Sequence, residues 1–435
     1  MSEPGKLTDV RPFHGIRYDT SQAGPLSLLL CPPYDIISDK QRLELYGRSP
    51  YNMIRLEYPL PPEGGSPDSP ERYAVAAQTF REWMKQGVLK RDAGPSLYVH
   101  DHSFVFRGRR HVRRGLFACV GLRPWYGGVY PHELTGTKAK QDRLELMRTC
   151  GVSFSGPLGL YEDRHGSISS LVEEALEGLS YIDVEEPVDR HRFRIIQDPA
   201  SVARISSAFE SEAIYIADGH HRYETALVYQ QERRDAMAGR AGAEAPWNFI
   251  AMTLTAFSDP GLFISPVYRV LNGVNLPDAA EIEVGLGRYF SIDYVPIGTA
   301  LARSAPVGEM ALMAVAGLRP GMLAELRQRP GVDLGAEVPG VHSSEYRTFN
   351  VSILNHVVMA KVLRINPDGE GVSYSPDLEA VVDSVQSGRA QMAFLLAPAH
   401  PMLVKKIADQ HERMPRKSTY FYPKPPTGLV AYPLD

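Results

Sequence analysis

Cysteine is scarce in this chain. Cys31, Cys119 and Cys150 are the three among 435 residues, too few for a disulfide framework or a four-cysteine zinc site. Each stands among apolar or small residues, so the expectation is buried, reduced thiols in a cytoplasmic protein. Long apolar runs are missing as well. No uncharged stretch approaches the roughly 20 residues that cross a bilayer, and Met1-Ser-Glu-Pro-Gly-Lys6 carries no secretory pattern. No membrane partner is therefore expected. Charge of one sign is also lacking: the formal net charge is −4, which argues against a protein that coats nucleic acid. The basic run Arg107, Arg109, Arg110, Arg113 and Arg114 reads as a hairpin turn with solvated edges. No GxGxxG follows a strand, and GxSxG, HExxH and CxxC do not occur. Dinucleotide-binding, α/β-hydrolase, zincin and thioredoxin-like chemistries are set aside on that ground.

What is present is an ordinary globular composition, 43% hydrophobic and 23% charged, enough to build sizeable cores in two or three units. Pro61 to Ser69 reads as a loop, and Ser69-Pro70 starts a helix with Tyr73, Ala76, Ala77, Phe80, Trp83 and Met84 on one face. Leu97–Phe106 and Gly115–Leu122 read as paired strands. A helix runs from Leu144 to Cys150, stopped by Gly151. Asp198-Pro199 opens another helix, Ala236–Ala245 is a loop, and Phe249–Phe257 is an apolar strand. A helix around Val351–Leu363, a strand at Ala393–Leu396 and a proline- and aromatic-rich tail, Tyr420–Tyr432, complete the reading. The alternation predicts a mixed α/β (α+β) fold. It divides into an N-terminal α/β lobe (1–187), a core (188–300) and a C-terminal α/β lobe packed on that core (301–435).

The most informative segment is Ile214-Tyr-Ile-Ala-Asp218-Gly219-His220-His221-Arg222-Tyr-Glu-Thr225-Ala226. An apolar stretch before Asp218 and a helical pattern after it predict strand, sharp turn and helix. Gly219 permits a turn that a residue with Cβ resists. The first amides of a helix favour an anion, and Arg222 suits two phosphate oxygens at once. His220 and His221, as neighbours, point opposite ways and are poorly placed to share a metal ion. The segment reads as a phosphate site with acid–base groups attached.

A second cluster is His132-Glu133-Leu-Thr135 with Lys140 and Asp142-Arg143. A glutamate near a phosphate-binding arginine is a suitable base for a hydroxyl nucleophile; the alternative is a helix cap with exposed ion pairs. Leu28 to Asp35 reads as a short buried strand stopped by Pro32-Pro33, and Asn52-Met-Ile-Arg-Leu-Glu57 as an alternating strand with Arg55 and Glu57 facing outward. Lys417, Ser418 and Thr419 offer cationic and hydroxyl groups to phosphate oxygens, without the glycines of a P-loop.

These segments together carry a resemblance. Arg11-Pro-Phe-His-Gly15, Pro32-Pro-Tyr-Asp35, Asn52 to Glu57, His132-Glu-x-Thr135 with Lys140-x-Asp-Arg143, Ile216 to Arg222, Asp259-Pro-Gly-Leu262, and Met414-Pro-x-Lys-Ser-Thr419 with Phe421-Tyr-Pro-Lys424 resemble the DUF1015 family, in order and over almost the whole chain. One departure is Pro266-Val267-Tyr268-Arg269, where that family often has Pro-Thr-His-Arg. More loosely, the Asp-Gly-His-His-Arg turn is similar to that of the ParB-like free-serine kinases and, more distantly, ParB and sulfiredoxin, over roughly 190–257. That similarity implies a ParB/sulfiredoxin-like core around the turn, with large N- and C-terminal additions. It implies that Asp218 through Arg222 and Thr225 hold phosphates of ATP or ADP, or their Mg2+.

The expected function is a phosphotransferase using a nucleotide on a small hydroxylated metabolite, free serine or phosphoserine first. A phosphatase of a small phosphometabolite and a non-catalytic nucleotide-binding regulatory protein stand as alternatives. In the first reading Glu133 is the base, and Asp218, His220, His132 and Lys140 complete the catalytic set. Gly219, His221, Arg222, Thr225, Arg143, Lys417, Ser418 and Thr419 bind the nucleotide, with Asp218 as the metal ligand. DNA handling would need a basic helix–turn–helix unit, for which the sequence offers no candidate.

Overall fold

A computed structural model describes residues 6–66, 69–237, 242–302, 307 and 311–435. The fold is mixed α/β, as expected. The chain divides into two compact units: the first comprises Met1–Pro131, Thr135–Leu262 and Pro423–Asp435, the second His132–Leu134 and Phe263–Tyr422. These bounds do not coincide with divisions at 187/188 and 300/301. No helix among the described residues is long and apolar enough to cross a membrane.

The first unit is built on a nine-stranded sheet of β1 (Val10–Arg11), β2 (Leu97–Phe106), β3 (Arg109–Gly121), β4 (Val129–Tyr130), β5 (Leu158–Tyr161), β6 (Ile182–Glu185), β7 (Arg190–Ile196), β8 (Ile214–Asp218) and β9 (Phe249–Ala256). Their order is β4-β8-β5-β9-β3-β2-β7-β6, with β1 beside β3. The β8–β4 and β9–β5 pairs are parallel and the others antiparallel. Every residue of β9 is buried, as a strand covered on both faces requires. The basic hairpin forms as expected, turning at Arg107 and Gly108, both at positive φ.

Three helices matter for the site: α1 (Glu71–Lys85), α2 (Thr137–Cys150) and α3 (His220–Ala236). Gly151 closes α2 in the left-handed region at φ 65°. Helix α2 begins well before Leu144, so Lys140 and Arg143 lie on it rather than ahead of it. The helix at Pro199–Ala208 is capped by Asp198, whose side chain accepts from the Ser201 amide. Of the expected loops, residues 67–68 of Pro61–Ser69 and residues 238–241 of Ala236–Ala245 lie outside the described residues.

Two expected strands are absent. Asn52–Glu57 is not an outward-facing strand: Ile54–Glu57 forms a helical turn with Glu57 1% exposed. The Asn52 side chain decides this, accepting from the Ile54 amide (3.0 Å) while donating to the Leu28 and Leu30 carbonyls (2.7 and 3.1 Å). Leu28–Asp35 is no regular strand either. Cys31 makes a single bridge with Thr427, and Tyr34–Ile36 winds into a 3-10 turn after Pro33.

The second unit holds a six-stranded antiparallel sheet of β10 (Tyr268–Leu271), β11 (Phe290–Pro296), β12 (Met313–Ala316), β13 (Met322–Gln328), β14 (Val372–Ser375) and β15 (Met392–Leu396), in the order β11-β13-β12-β15-β10-β14. The helix around 351–363 starts at Asn350 and widens into a π-helix over Leu354–Val362. The tail divides: Tyr420–Tyr422 pairs with Phe263–Ser265 in the second unit, while Tyr432–Pro433 pairs with Val152–Ser153 in the first.

Candidate functional site

The Asp218–Arg222 junction forms as the sequence predicts. Strand β8 ends at Asp218 after an irregularity in its register with β5 between Ile216 and Asp218. Such a bulge re-aims the following side chain. Gly219 then takes φ 86°, ψ 30°, and α3 begins at His220. A Cβ at Gly219 would sit 2.8 Å from Arg222 Nε, so both the backbone and the close approach of the guanidinium exclude a side chain there.

Arg222 is 8% exposed. One terminal nitrogen donates to Asp218 Oδ2 (2.8 Å) and the other to the Gly156 carbonyl (2.6 Å). Lys424 donates to the second Asp218 oxygen. Burial alone would raise the Asp218 carboxyl, but Lys424 and Arg222 outweigh it and hold it far below the ordinary carboxylate range. A cavity of about 20 Å3, bordered by Asp218, Arg222, Gly156, Thr253 and Gly428, adjoins the pair, room for about one water molecule.

Arg222 also feels the charges of Asp35, Tyr34 and Glu57, which brings three distant sequence segments to one place. Glu57 Oε1 accepts from Ser155 (2.7 Å) and lies 3.6 Å from Arg143. Burial raises the Glu57 carboxyl, and Arg143 and Ser155 only partly offset this. Arg143 is clamped by Asp142 (2.8 Å from Nε) and the Glu57 carbonyl (2.7 Å), with its guanidinium 3.9 Å above the Tyr34 ring. Arg222 and Lys424 thus close on Asp218 at the start of α3, and Arg143 on Glu57 and Asp142, with Glu57 near enough for its charge to act on Arg222.

The remaining expected residues of the first unit have structural partners. Lys140 Nζ reaches Glu224 (3.0 Å), which also accepts from Thr135 and from Trp125 Nε1 (3.1 Å). Burial would raise Glu224, but these three donors bring it below its usual value. Thr225 donates to the Lys140 carbonyl (3.3 Å), joining α3 to α2. His221 Nε2 accepts from the Gly136 amide (2.8 Å). His220 is buried, 6.5 Å from the Trp125 ring.

His132, Glu133, Lys417, Ser418 and Thr419 belong to the second unit, where they come together. His132 Nε2 meets Thr419 Oγ1 at 2.9 Å, and its carbonyl accepts from Met414 (2.8 Å). Glu133 Oε1 accepts from the Lys417 amide (3.2 Å), and its carbonyl from Arg413 (2.8 Å). Ser418 donates to the Pro415 carbonyl (2.5 Å). Arg269, from the divergent Pro-Val-Tyr-Arg segment, is fully buried and donates to the Arg416 carbonyl (3.0 Å), supporting the same stretch.

Sequence reasoning passed over Lys424 and Glu57 as site residues. Lys424 lies 206 positions from Asp218, and nothing local signals the pairing. Glu57 was masked by an alternating pattern that suggests an outward face. The donor set at Asp218 does not fit Mg2+, because two cations already take both its oxygens. A carboxylate so neutralised offers a dication little attraction.

Residues 10–349 match the family described as a protein of unknown function, DUF1015. No curated protein matches. Similar solved structures include a conserved hypothetical protein from Pyrococcus furiosus, 12% identical over 73% of this chain and 94% of that one, with a TM-score of 0.32. A free serine kinase in complex with AMP is 12% identical over 71% and 86%, TM-score 0.33. SbnI with a C-terminal truncation, from Staphylococcus aureus, is 9% identical over 73% and 87%, TM-score 0.35. The family match spans most of the chain, and the protein belongs to the DUF1015 family.

Proposed function

We propose that this protein is a phosphotransferase that takes a phosphoryl group from a nucleotide, ATP or ADP, and passes it to a small hydroxylated metabolite. Free serine is the acceptor to test first, on the resemblance of the Asp-Gly-His-His-Arg turn. The observation that carries the reading is the pairing of Arg222 and Lys424 on Asp218 at the first turn of a 17-residue helix. Two buried cations and the helix amides suit a phosphate. Its oxygens would take over from the Asp218 carboxylate, which holds both cations in place until the ligand arrives. Phosphoryl transfer asks chiefly for positioning and charge neutralisation, and Arg222 and Lys424 supply both.

Within the first unit the group best suited to accept a hydroxyl proton is Glu57, whose raised carboxyl has the greater proton affinity a base needs. Arg143 and Ser155 orient it, and Lys140 acts through Glu224 to fix α3 rather than on the substrate. The paired variants Glu57→Gln and Glu133→Gln test Glu57 against the base expected from the sequence. Any Mg2+ would come with the nucleotide phosphates.

Calorimetric titration with ATP, ADP and AMP, with and without Mg2+, tests the reading. Binding in the micromolar range is expected, weakened about 10–100-fold in Arg222→Ala by loss of the charged hydrogen bonds and less in Arg222→Lys. Nucleotide binding that is absent, or indifferent to both substitutions, would remove the proposal. Binding without transfer to serine or any other hydroxyl acceptor would leave the regulatory alternative.

A further inference from the structure

We propose that His100, His102 and His191 form a binding site for a divalent transition metal of the zinc class, inside the first unit and separate in composition from the Asp218 group. His100 and His102 sit two apart on β2 and so share a face. His191 on β7 lies directly across from His102 in the antiparallel register. One ring nitrogen of each falls within 4.8 Å of the other two, and His100 Nε2 is 3.0 Å from His191 Nδ1. Ligands at about 2.0–2.1 Å from a tetrahedral zinc stand roughly 3.3 Å apart, so small rotations of the rings close the set. All three residues are at least 97% buried.

The hydrogen bonding around the rings favours a metal over a packed histidine cluster. His102 turns Nε2 to Asp189 Oδ2 (3.2 Å), while its buried Nδ1 has no hydrogen-bond partner among the described residues. A buried, unpaired ring nitrogen is costly and is what a metal would satisfy. His191 likewise presents Nδ1 to His100 and lies 4.0 Å from Glu186 through Nε2. At His102 the Asp189 carboxylate holds the proton on Nε2 and leaves Nδ1 as the lone-pair donor, the arrangement common behind metal-ligating histidines. Burial, with His191 and Arg113 nearby, pushes His102 down to about 2; burial, partly offset by Asp189, pushes His191 to about 4. The Phe104 and Phe117 rings, 5.5 Å from His102 and 6.2 Å from His100, wall the cluster. The opposing charge is Arg113, across from His102 on β3 and bonded to the Pro423 carbonyl (2.7 Å). Asp189 and Glu186 offset it.

The test uses the full chain, stripped with chelator and titrated with Zn2+ alone by calorimetry, and with Co2+ alone for its visible ligand-field bands. One equivalent is expected, with cobalt bands of a low-coordinate nitrogen site and a higher Tm in the presence of zinc. His102→Gln and His191→Gln should abolish all three responses. Asp189→Asn, which keeps the ligands, should weaken zinc about 10–100-fold. Exposed His165, substituted by Gln, serves as the control and should change nothing. Folded wild-type protein that takes up no zinc, or uptake unchanged in the two ligand variants, would overturn the proposal. Because nucleotide is absent throughout, the result stands apart from that of the phosphotransferase test.

Discussion

Replacing Asp218 by Asn should cost this protein much of its stability at neutral pH and little in acid. The Asp218 side chain is 13% exposed and bonded through separate oxygens to Arg222 and Lys424, whose side chains are 9% and 8% exposed. Removing one member of such a buried group leaves the other charges uncompensated, at about 3–5 kcal/mol. Asparagine keeps one acceptor oxygen and Arg222 keeps the Gly156 carbonyl, so the lower end, about 3 kcal/mol, applies. At about 2.1 cal/mol/K of unfolding entropy per residue, a unit of this size should fall in Tm by roughly 5 °C. The sign of the pH dependence follows from the depressed carboxyl. Its contribution is fully present above the unfolded value of about 3.9 and is lost as pH falls through the folded value. The gap between wild type and Asp218→Asn should therefore be constant from pH 5 to 8 and shrink below pH 4. Lys424→Met, costly alone, should cost little more once Asp218 is neutral, giving a coupling of about 0.5–3 kcal/mol. Scanning calorimetry of the four proteins of this cycle checks all of it. A neutral-pH loss below about 1 kcal/mol, or a gap indifferent to acid, would show that the three groups do not act together.

Two further expectations concern the same site. Gly219→Ala places a Cβ 2.8 Å from Arg222 Nε at a φ of 86°, so a loss of about 1–3 kcal/mol and weaker nucleotide binding should appear together. Wild-type calorimetric profiles in both assays would refute the packing argument. Glu57→Gln should cut phosphoryl transfer by about 100-fold or more without lowering Tm. Because burial raises the Glu57 carboxyl, its charged form costs stability as pH rises through that value, so the variant's relative stability should improve from pH 4 to 8. Undiminished turnover would return the base role to another carboxylate.

How much of this was legible beforehand depends on the range of the determining interactions. The strand, turn and helix at 214–236 could be read because each signal is local: an apolar run, a glycine at positive φ, an amphipathic start. The hairpin at Arg107-Gly108 and the Asp198 cap were readable for the same reason. Asn52–Glu57 was misread because its alternation mimics a strand, whereas a side chain bonded to the backbone of Leu28 and Leu30 winds it into a helical turn. His100-Asp-His102 carried a usable signal, two histidines on one strand face, but its third member lies 89 positions beyond His102, on another strand.

The sequence by itself determined the mixed α/β class, the family and the junction at Asp218, since these rest on short-range patterning and ordered motifs. Tertiary structure decided which groups share a site. It brought Lys424 and Glu57 to Arg222 and assembled three histidines from two strands. It also placed His132 and Glu133 with Lys417–Thr419 in the second unit. The physical reason is that charges and ligands act over a few ångströms of space, and separation along the chain does not fix that distance.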